Sequence, residues 1–228
     1  MSQILIKRAK AEQLLSGEGW LSVQPRTFRE EVLRRAVLLR FPPGEVVYRI
    51  EDEAGGIFGL VEGTVTVNTA PPDQAPQLIH IGKPGAWTGE GCFLTRSARR
   101  IELRTLSETW MMHLSLDQMD QMAAADPAAT RYFAQILMAS VEVLLRVIHD
   151  LQKPGADQRI ASALSRSAAQ GRTVPLSQSE IGLMSGTSRK QVNAALARFE
   201  AKGWVRADYR AVTVLDARGL AREAEGGV

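Results

Sequence analysis

Residues 176–196 read LSQSEIGLMSGTSRKQVNAAL, which we interpret as two short helices joined by a tight turn. Ser177 can cap the first helix, and Glu180 three residues later completes a capping box. Gly186 offers the backbone freedom that a sharp turn needs, and Ser188 is a second N-cap candidate. This arrangement is typical of a helix-turn-helix, whose second helix enters the major groove of DNA.

The apolar spacing of the second helix indicates which side chains face outward. Val192, Leu196 and Phe199 recur at i, i+4 and i+7, which predicts the buried stripe. The opposite face then carries Arg189, Lys190, Asn193 and Ala197. A recognition helix reads bases mainly with its N-terminal residues. We therefore expect DNA contacts from Ser177, Gln178, Ser188, Arg189, Lys190, Gln191, Asn193 and Arg210.

The outward side chains suit different parts of the DNA. Arg189 can grip a guanine edge with two hydrogen bonds, and Asn193 can pair with adenine. Lys190, Ser177 and Ser188 are better suited to phosphates, which helix N-termini already favour. The alternative is an ordinary helical hairpin with a solvated basic face. Two caps, a glycine turn and an inward stripe in register favour DNA binding.

Short β-prone runs follow the second helix. Lys202-Gly203 ends that helix, with glycine at a plausible C′ position. Residues 204–206 and 211–214 then predict a small hairpin, which after a recognition helix is a wing. Arg210 lies near the tip of this hairpin, where it is placed to contact phosphate.

The stretch from Leu176 to about Leu220 resembles the C-terminal winged helix of bacterial Crp–Fnr (cyclic-AMP receptor protein) transcription regulators. The Ser188-Arg189 start, the apolar stripe and the hydrophobic residues after the closing glycine carry the resemblance. The sequence departs from the best-known member at Lys190, where that protein has Glu, and at Ala194, where it has Arg. A carboxylate that accepts from cytosine and one guanine-reading side chain are therefore missing, so we expect a different operator.

The region from about Arg40 to Leu116 is β-prone and punctuated by glycines and prolines. We predict short strands at residues 46–50, 56–61, 64–67, 78–81 and 110–114, and an exposed hairpin loop at residues 71–76. Many short strands at this spacing favour a jelly-roll barrel. This region resembles the cyclic-nucleotide-binding domain of the same family.

The resemblance implies a phosphate cassette, in which a Gly-Glu pair is followed by Arg and then Ser or Thr. Gly89 and Glu90 match the first pair, and eleven residues after Gly89 the match falls on Arg100. The next residue is Ile101, where a hydroxyl is expected. We therefore expect ligand contacts from Gly89, Glu90, Arg99 and Arg100. Alternatively, the two arginines are barrel-rim charges that pair with Glu102 or Glu90.

A long helix is predicted from about Ala128 to Gln152. One apolar stripe alternates four and three residues apart, which suits the seam of a parallel dimer: Leu137, Val141, Leu144, Ile148 and Leu151. A second stripe can pack against the barrel: Phe133, Ile136, Ser140, Val143 and Val147. A buried helix in a monomer is the alternative, but two stripes need two partners.

The end of this helix bears on the effector and on the domain boundary. The resemblance aligns Leu144-Leu145 with the polar pair that contacts the nucleotide base in the family. An apolar pair supplies no hydrogen bonds to a base, which together with Ile101 disfavours cyclic AMP and leaves the effector unnamed. Lys153-Pro154-Gly155 breaks the helix and is the natural hinge between domains.

Charge and hydropathy agree with a DNA-binding protein. The 228 residues carry a net charge of +3. From Ala156 onward, 11 Lys and Arg residues stand against 7 Asp and Glu, so the basic excess lies where attraction to phosphate is needed. No uninterrupted apolar run approaches the ~18 residues of a membrane span, and the N-terminus lacks a signal-peptide pattern. We expect a cytoplasmic protein without a membrane partner.

The sequence gives little support for a metal centre, a haem group or enzyme chemistry. Cys92 is the only cysteine, which argues against an iron–sulfur cluster because such clusters normally take about four thiolates. Haem ligation by His80 or Cys92 is unsupported. The histidines His80, His113 and His149 lack metal-ligand spacing, and no phosphate loop or nucleophile elbow occurs. We therefore predict no metal site, no catalytic residue and no enzyme activity.

These observations predict an α+β protein with two domains. Residues 1–153 form the β jelly-roll sensor with the dimerisation helix (about 128–152), and residues 154–228 form the winged helix-turn-helix. The expected function is that of a homodimeric transcription regulator on an inverted-repeat operator. Expected partners are double-stranded DNA and a second copy of the chain, with RNA polymerase a further candidate. The alternatives are a module that regulates a protein partner without reading DNA, and a DNA-binding regulator that needs no ligand.

Overall fold

The computed structural model describes residues 2–70, 74, 76–167 and 173–226. The chain falls into two compact units. The first unit comprises residues 1–65 and 82–143, and the second unit comprises residues 66–81 and 144–228. Most of the predicted loop at residues 71–76 lies outside the described residues.

Among the residues that the structure describes, six helices and seven strands begin in the first unit. The helices are α1 (Ser2–Gly17), α2 (Gly19–Ser22), α3 (Arg26–Arg35), α4 (Glu90–Thr95), α5 (Leu116–Ala125) and α6 (Ala128–Leu151). The strands are β1 (Val37–Phe41), β2 (Val46–Tyr48), β3 (Ile57–Glu62), β4 (Val65–Thr69), β6 (Trp87–Thr88), β7 (Glu102–Thr105) and β8 (Thr109–Leu114). Strand β5 (Gln77–Gly82) lies beside β4, and both strands fall mainly in the second unit.

The β structure matches the predicted short strands. An antiparallel sheet has the order β1-β8-β3-β6, and β2 pairs antiparallel with β7. The mixed α+β class and the β-sandwich domain are thus confirmed. Helices α1 to α3 were not predicted from the sequence, because the residues that bury them lie far along the chain. Trp20 of α2, for example, stacks on Phe133 of α6 with ring centroids 6.0 Å apart.

The remainder of the second unit is a small helical domain with a three-stranded sheet. Its elements are α7 (Ala156–Ser167), β9 (Thr173–Val174), α8 (Gln178–Ser185), α9 (Arg189–Ala201), β10 (Val205–Asp208), β11 (Ala211–Val214) and α10 (Ala217–Ala224). The strand order is β10-β11-β9. Helices α8 and α9 and the hairpin β10–β11 stand where the sequence predicted a winged helix-turn-helix.

Helix α6 confirms the predicted long helix, and the two units divide within it, between Val143 and Leu144. Among the described helices, α6 alone is long and apolar enough to cross a membrane, judged by length and composition only. Charged residues interrupt its apolar run, so the same composition also suits a helix with two apolar stripes. The domain boundary at residues 153 and 154 stays a prediction.

Candidate nucleic-acid interface and sensor site

Both helices of the helix-turn-helix begin with a complete capping box. The Ser177 hydroxyl accepts a hydrogen bond from the Glu180 amide (3.3 Å), and Glu180 Oε2 accepts one from the Ser177 amide (2.7 Å). At α9, the Ser188 hydroxyl accepts from the Gln191 amide (3.2 Å), and Gln191 Oε1 accepts from the Ser188 amide (2.9 Å). The predicted caps are thus present, and Gln191 completes the second capping box in addition to its predicted place on the outward face.

The turn between α8 and α9 depends on two glycines. Gly186 ends α8 in the left-handed region, with φ of 59°. The Thr187 amide donates to the Gly182 carbonyl (3.0 Å), which draws the turn back onto α8. A Cβ atom on Gly182 would lie 2.7 Å from the Thr187 carbonyl oxygen. Only glycine therefore fits at residue 182, a requirement that local sequence pattern does not reveal.

The outward face of α9 is the one that the periodicity predicts. The inward stripe of Val192, Leu196 and Phe199 is buried. The residues Arg189, Lys190, Gln191, Asn193, Ala194 and Ala197 are exposed. The N-terminal part of α9 thus presents two cations and two amides to solvent, while the opposite face of the helix is buried.

One hydrogen bond joins the polar edges of the two helices. Gln178 Nε2 donates to Asn193 Oδ1 at 3.1 Å. The Asn193 amide therefore directs its NH₂ group away from α8. An outward NH₂ group is a donor, which suits acceptors on a base edge, such as guanine O6 and N7 or thymine O4.

The predicted wing is formed by the hairpin β10–β11. Its turn carries Tyr209, which is 92% exposed, and Arg210, which is exposed with φ of 54°. The Ala207 amide donates to Glu200 Oε1 at 2.8 Å, which fixes the wing to the end of α9. The side chains at the hairpin tip are thus exposed to solvent, as a DNA contact from Arg210 requires.

The predicted ligand cassette lies in the first unit at the start of α4. Gly89 adopts φ of 106° and precedes the helix. Glu90 is buried, and its Oε1 accepts a hydrogen bond from the Ser140 hydroxyl of α6 at 3.2 Å. Burial raises the pKa of the Glu90 carboxyl above its ordinary value, although the hydrogen bond from Ser140 opposes that shift.

Arg99 is buried beside this cassette. Its guanidinium donates to the carbonyl oxygens of Gly89 (3.2 Å) and Gly56 (2.8 Å). It also lies over the Tyr48 ring, 4.2 Å from the centroid, an arrangement that stabilises a cation. Burial raises the pKa of Tyr48 to about 12, so this ring carries a neutral hydroxyl at physiological pH.

An imidazole completes the aromatic wall near Arg99. His113 stacks on Phe58 with ring centroids 4.3 Å apart. Burial lowers the pKa of His113, and the positive charge of Arg99 lowers it further. The site therefore combines one buried cation, one buried carboxylate and a neutral aromatic wall, which can bind an anion that also bears a hydroxyl group.

The structure distinguishes between the two adjacent arginines. Counting eleven residues from Gly89 selected Arg100, yet Arg100 is exposed and Arg99 is the arginine that reaches Gly89. The residue after the buried arginine is therefore Arg100 rather than Ile101. Arg99 does not lie at the barrel rim, because its side chain is buried and donates to backbone carbonyls, while its charge also acts on Glu90.

The two apolar stripes of α6 differ in exposure. The barrel-facing residues Phe133 and Ile136 are fully buried in the first unit. In the predicted seam, four residues are 43–50% exposed, namely Leu137, Leu144, Ile148 and Leu151, and Val141 is partly buried. Leu145 is also half exposed and offers no hydrogen-bonding group. Within the described part of the chain, no three His, Cys, Asp or Glu side chains are grouped to hold a metal ion.

Two family models match this chain. A Crp-like helix-turn-helix domain matches residues 158–223, and a cyclic nucleotide-binding domain matches residues 38–126. Together they cover more than half of the sequence, and they coincide with the helix-turn-helix and the β domain described above.

Similar proteins and similar solved structures align with most of this chain. The CRP-like cAMP-activated global transcriptional regulator of Mycobacterium tuberculosis is 26% identical over 193 residues, which is 81% of this chain and 86% of that protein. A CRP-family transcriptional regulator of Thermus thermophilus is 26% identical, with a TM-score of 0.65 over 82% of this chain and 97% of that one. The c-di-GMP responsive global regulator CLP of Xanthomonas campestris shares the fold, with 23% identity and a TM-score of 0.63 over 84% of this chain and 99% of that one.

Proposed function

Because this chain belongs to the Crp–Fnr family of DNA-binding transcription regulators, we propose that it acts as a homodimer on an inverted-repeat operator. The observation that supports this most directly is the exposed N-terminal edge of α9, capped by Ser188 and backed by a buried stripe. The family comprises regulators rather than enzymes. We accordingly propose a cytoplasmic protein without catalytic activity, with RNA polymerase as a candidate partner.

The proposed dimer interface is the seam of α6. An isolated helix in water does not gain from an apolar stripe that stays half exposed, whereas a second copy would bury that stripe. The four-and-three spacing suits a parallel pair about a two-fold axis. Two-fold symmetry of the protein requires two-fold symmetry of the operator, with half-sites about 34 Å, or one helical turn, apart.

We propose that different residues contact the bases and the phosphates. Arg189, in the first turn of α9, would bind a guanine edge through two parallel hydrogen bonds. Asn193, held by Gln178, would donate to a neighbouring base acceptor rather than form the expected pair with adenine. Lys190 and the wing residue Arg210 would contact phosphate, which positions the protein without reading sequence.

For the sensor site, we propose an anionic effector held by Glu90 and Arg99, with Gly89 allowing close approach. Family membership does not name this effector, because one relative is called cAMP-activated and another c-di-GMP responsive. Cyclic AMP fits poorly: Arg100 stands where a hydroxyl donor is expected, and Leu144-Leu145 offers the base no hydrogen bonds. Calorimetric titration with cyclic AMP, cyclic GMP and cyclic di-GMP, on wild type and Arg99→Gln, tests the site.

Operator binding is tested by selection from random duplex DNA, followed by titration at two salt concentrations. We expect the selected fragments to be inverted repeats and the protein to be dimeric. Because counterions are released from phosphates, the affinity should fall steeply as salt rises. A monomer in solution that binds selected and scrambled fragments equally would contradict the proposal.

A further inference from the structure

We infer that Arg159 is a positioning residue that locks the DNA-reading helices to the C-terminal end of the dimer seam. This inference rests on the proposed function, because it concerns the spacing between the two helix-turn-helix domains of a dimer. Each of these domains (residues 156–226) is called the reader below. The connection between α6 and α7, residues 152–155, contains the segment Lys153-Pro154-Gly155 that the sequence predicts to be the hinge between domains.

The Arg159 side chain joins this connection to the helix-turn-helix. Its Nη1 atom donates to the carbonyl oxygens of Lys153 (2.8 Å) and Pro154 (3.2 Å). Its Nε atom donates to the carbonyl of Ser185 (3.1 Å), the last residue of α8. Carbonyls at a helix C-terminus lack partners within the helix and carry partial negative charge, so a guanidinium is well suited to bind them.

The same connection is also held on its other sides. Lys153 Nζ donates to the carbonyl of Ala224, at the end of α10 (2.8 Å), and to Glu225 (3.0 Å). The Gly155 amide donates to Gln158 Oε1 at 2.9 Å. A free hinge would have its polar groups in water, whereas here its backbone carbonyls and the Gly155 amide are bound by α7, and its Lys153 side chain is bound by the end of α10.

The last turns of α6 also contact α7 and the turn of the helix-turn-helix. Asp150 forms an ion pair with Arg166 of α7. Leu151 lies next to the helix-turn-helix turn, since a Cβ atom on Gly186 would be 3.3 Å from Leu151 Cδ2. The seam residues Leu144, Ile148 and Leu151 thus belong to the same compact unit as α8 and α9.

This arrangement has a consequence for operator choice. If two chains meet along the seam, the position of each α9 is set by bonds between the end of α6 and the reader. Arg159 makes three hydrogen bonds at this junction, two to the connection after α6 and one to the last residue of α8, at the turn that leads into α9. Its loss should leave each reader folded, because the core of that domain is formed by other buried residues: Ile160, Leu164, Ile181, Met184, Leu196 and Phe199. The expected defect is therefore loss of the preferred spacing between half-sites.

The test compares Arg159→Ala with wild type on three DNA fragments. These are the selected inverted repeat, the same half-sites moved apart by two base pairs, and a single half-site. We expect wild type to discriminate against the altered spacing, and Arg159→Ala to lose about tenfold of that discrimination, the worth of one charge-assisted hydrogen bond. Affinity for the single half-site should change less than about twofold.

Two further variants separate positioning from a general structural or charge effect. Arg159→Lys keeps the charge but reaches fewer carbonyls at once, so its spacing preference should be intermediate. Arg218→Ala removes an exposed cation from α10 in the same unit and should behave as wild type. Wild-type discrimination retained in Arg159→Ala would overturn the inference, as would an equal loss on all three fragments.

Amide hydrogen exchange tests the lock without DNA. In the free protein, peptides covering residues 150–159 and 183–188 should exchange about tenfold faster in Arg159→Ala than in wild type. Unchanged exchange there would overturn the inference whatever the DNA results. A monomeric wild type without operator preference would instead contradict the proposed function, so the two failures are distinguishable.

Discussion

The two units of this molecule hold their important cations in opposite ways. In the second unit, Arg189 and Lys190 are exposed on the outer edge of α9. In the first unit, Arg99 is buried, and its guanidinium is bound by two backbone carbonyls and a tyrosine ring. An exposed cation binds DNA by displacing water and counterions. A buried cation must exchange bonds that it already makes, so an effector of the kind we propose would bind Arg99 only with a local rearrangement, whereas Arg189 and Lys190 are already accessible.

The largest expected effect concerns Arg189, the exposed cation that we propose contacts a base. Replacing Arg189 with alanine should reduce affinity for the selected operator by about 1–3 kcal/mol and relax the preference at one base position. The side chain is exposed, so the free energy of unfolding should change by less than about 0.5 kcal/mol. Titration on operator and scrambled DNA measures the first effect, and urea unfolding the second.

Arg218→Ala is the matched control, since it removes the same charge from the exposed face of α10. If Arg189→Ala weakened binding equally on operator and scrambled DNA, then Arg189 would contact phosphate rather than a base.

The buried cation should behave in the opposite manner. Replacing Arg99 with methionine removes the hydrogen bonds that the carbonyls of Gly56 and Gly89 accept from it. Losing buried hydrogen bonds from a charged donor is costly, so we expect the free energy of unfolding to fall by about 1–2 kcal/mol. Urea denaturation measures this loss, and DNA affinity without effector should change little. The exposed neighbour Arg100 gives the control, Arg100→Met, which should be nearly neutral.

A strong loss of stability in Arg100→Met, with none in Arg99→Met, would reverse the assignment of the two arginines. It would restore the sequence-based count that selected Arg100.

The contrast between the units also explains what could be predicted from the sequence. The helix-turn-helix is encoded by local signals within about 25 residues: two serine caps, a turn glycine and an apolar stripe at helical spacing. Each signal acts on the chain next to it, so the prediction holds to within a residue or two. The exception is Gly182, whose necessity comes from contact with the turn and not from any local pattern.

The sensor site depends on contacts between distant segments. Arg99 is oriented by the carbonyl of Gly56, 43 positions away, and by the ring of Tyr48. Sequence spacing from Gly89 could not decide between two adjacent arginines, because surface loops such as the one between α4 and β7 tolerate a change of length without a change in the flanking elements. The hydrogen bond between Glu90 and Ser140 likewise joins residues 50 apart.

A smaller effect should distinguish positioning contacts from reading contacts within α9. Lys190 is exposed beside Arg189, and we assign it to phosphate. Lys190→Ala should reduce the slope of log affinity against log salt by about one unit, with the base preference unchanged. Titrations of wild type and Lys190→Ala at four salt concentrations on the selected operator give this slope. A changed base preference in Lys190→Ala would show that Lys190 reads sequence.

The smallest expected effect concerns Glu90, the buried carboxyl near Arg99. Its pKa in the folded protein is raised by burial. A raised folded pKa contributes stability that is fully present below the pKa of an unfolded glutamate and is lost as pH rises through the folded pKa. Glu90→Gln cannot lose a proton and keeps an acceptor for Ser140. The free energy of unfolding of Glu90→Gln, relative to that of wild type, should therefore increase as the pH is raised from about 4 to 8.

The exposed carboxyl Glu108 provides a control of opposite sign. The Arg40 guanidinium holds the pKa of Glu108 below its ordinary value, so its stabilisation is present above the unfolded pKa and is lost as pH falls through the folded one. Relative to wild type, Glu108→Gln should thus lose stability as the pH rises from about 3 to 5, whereas Glu90→Gln gains stability as the pH rises from about 4 to 8. Urea unfolding from about pH 3 to 8 measures both variants. Parallel curves for Glu90→Gln and wild type would mean that the Glu90 site is open to water, which would remove the contrast between a closed sensor and an open reading surface.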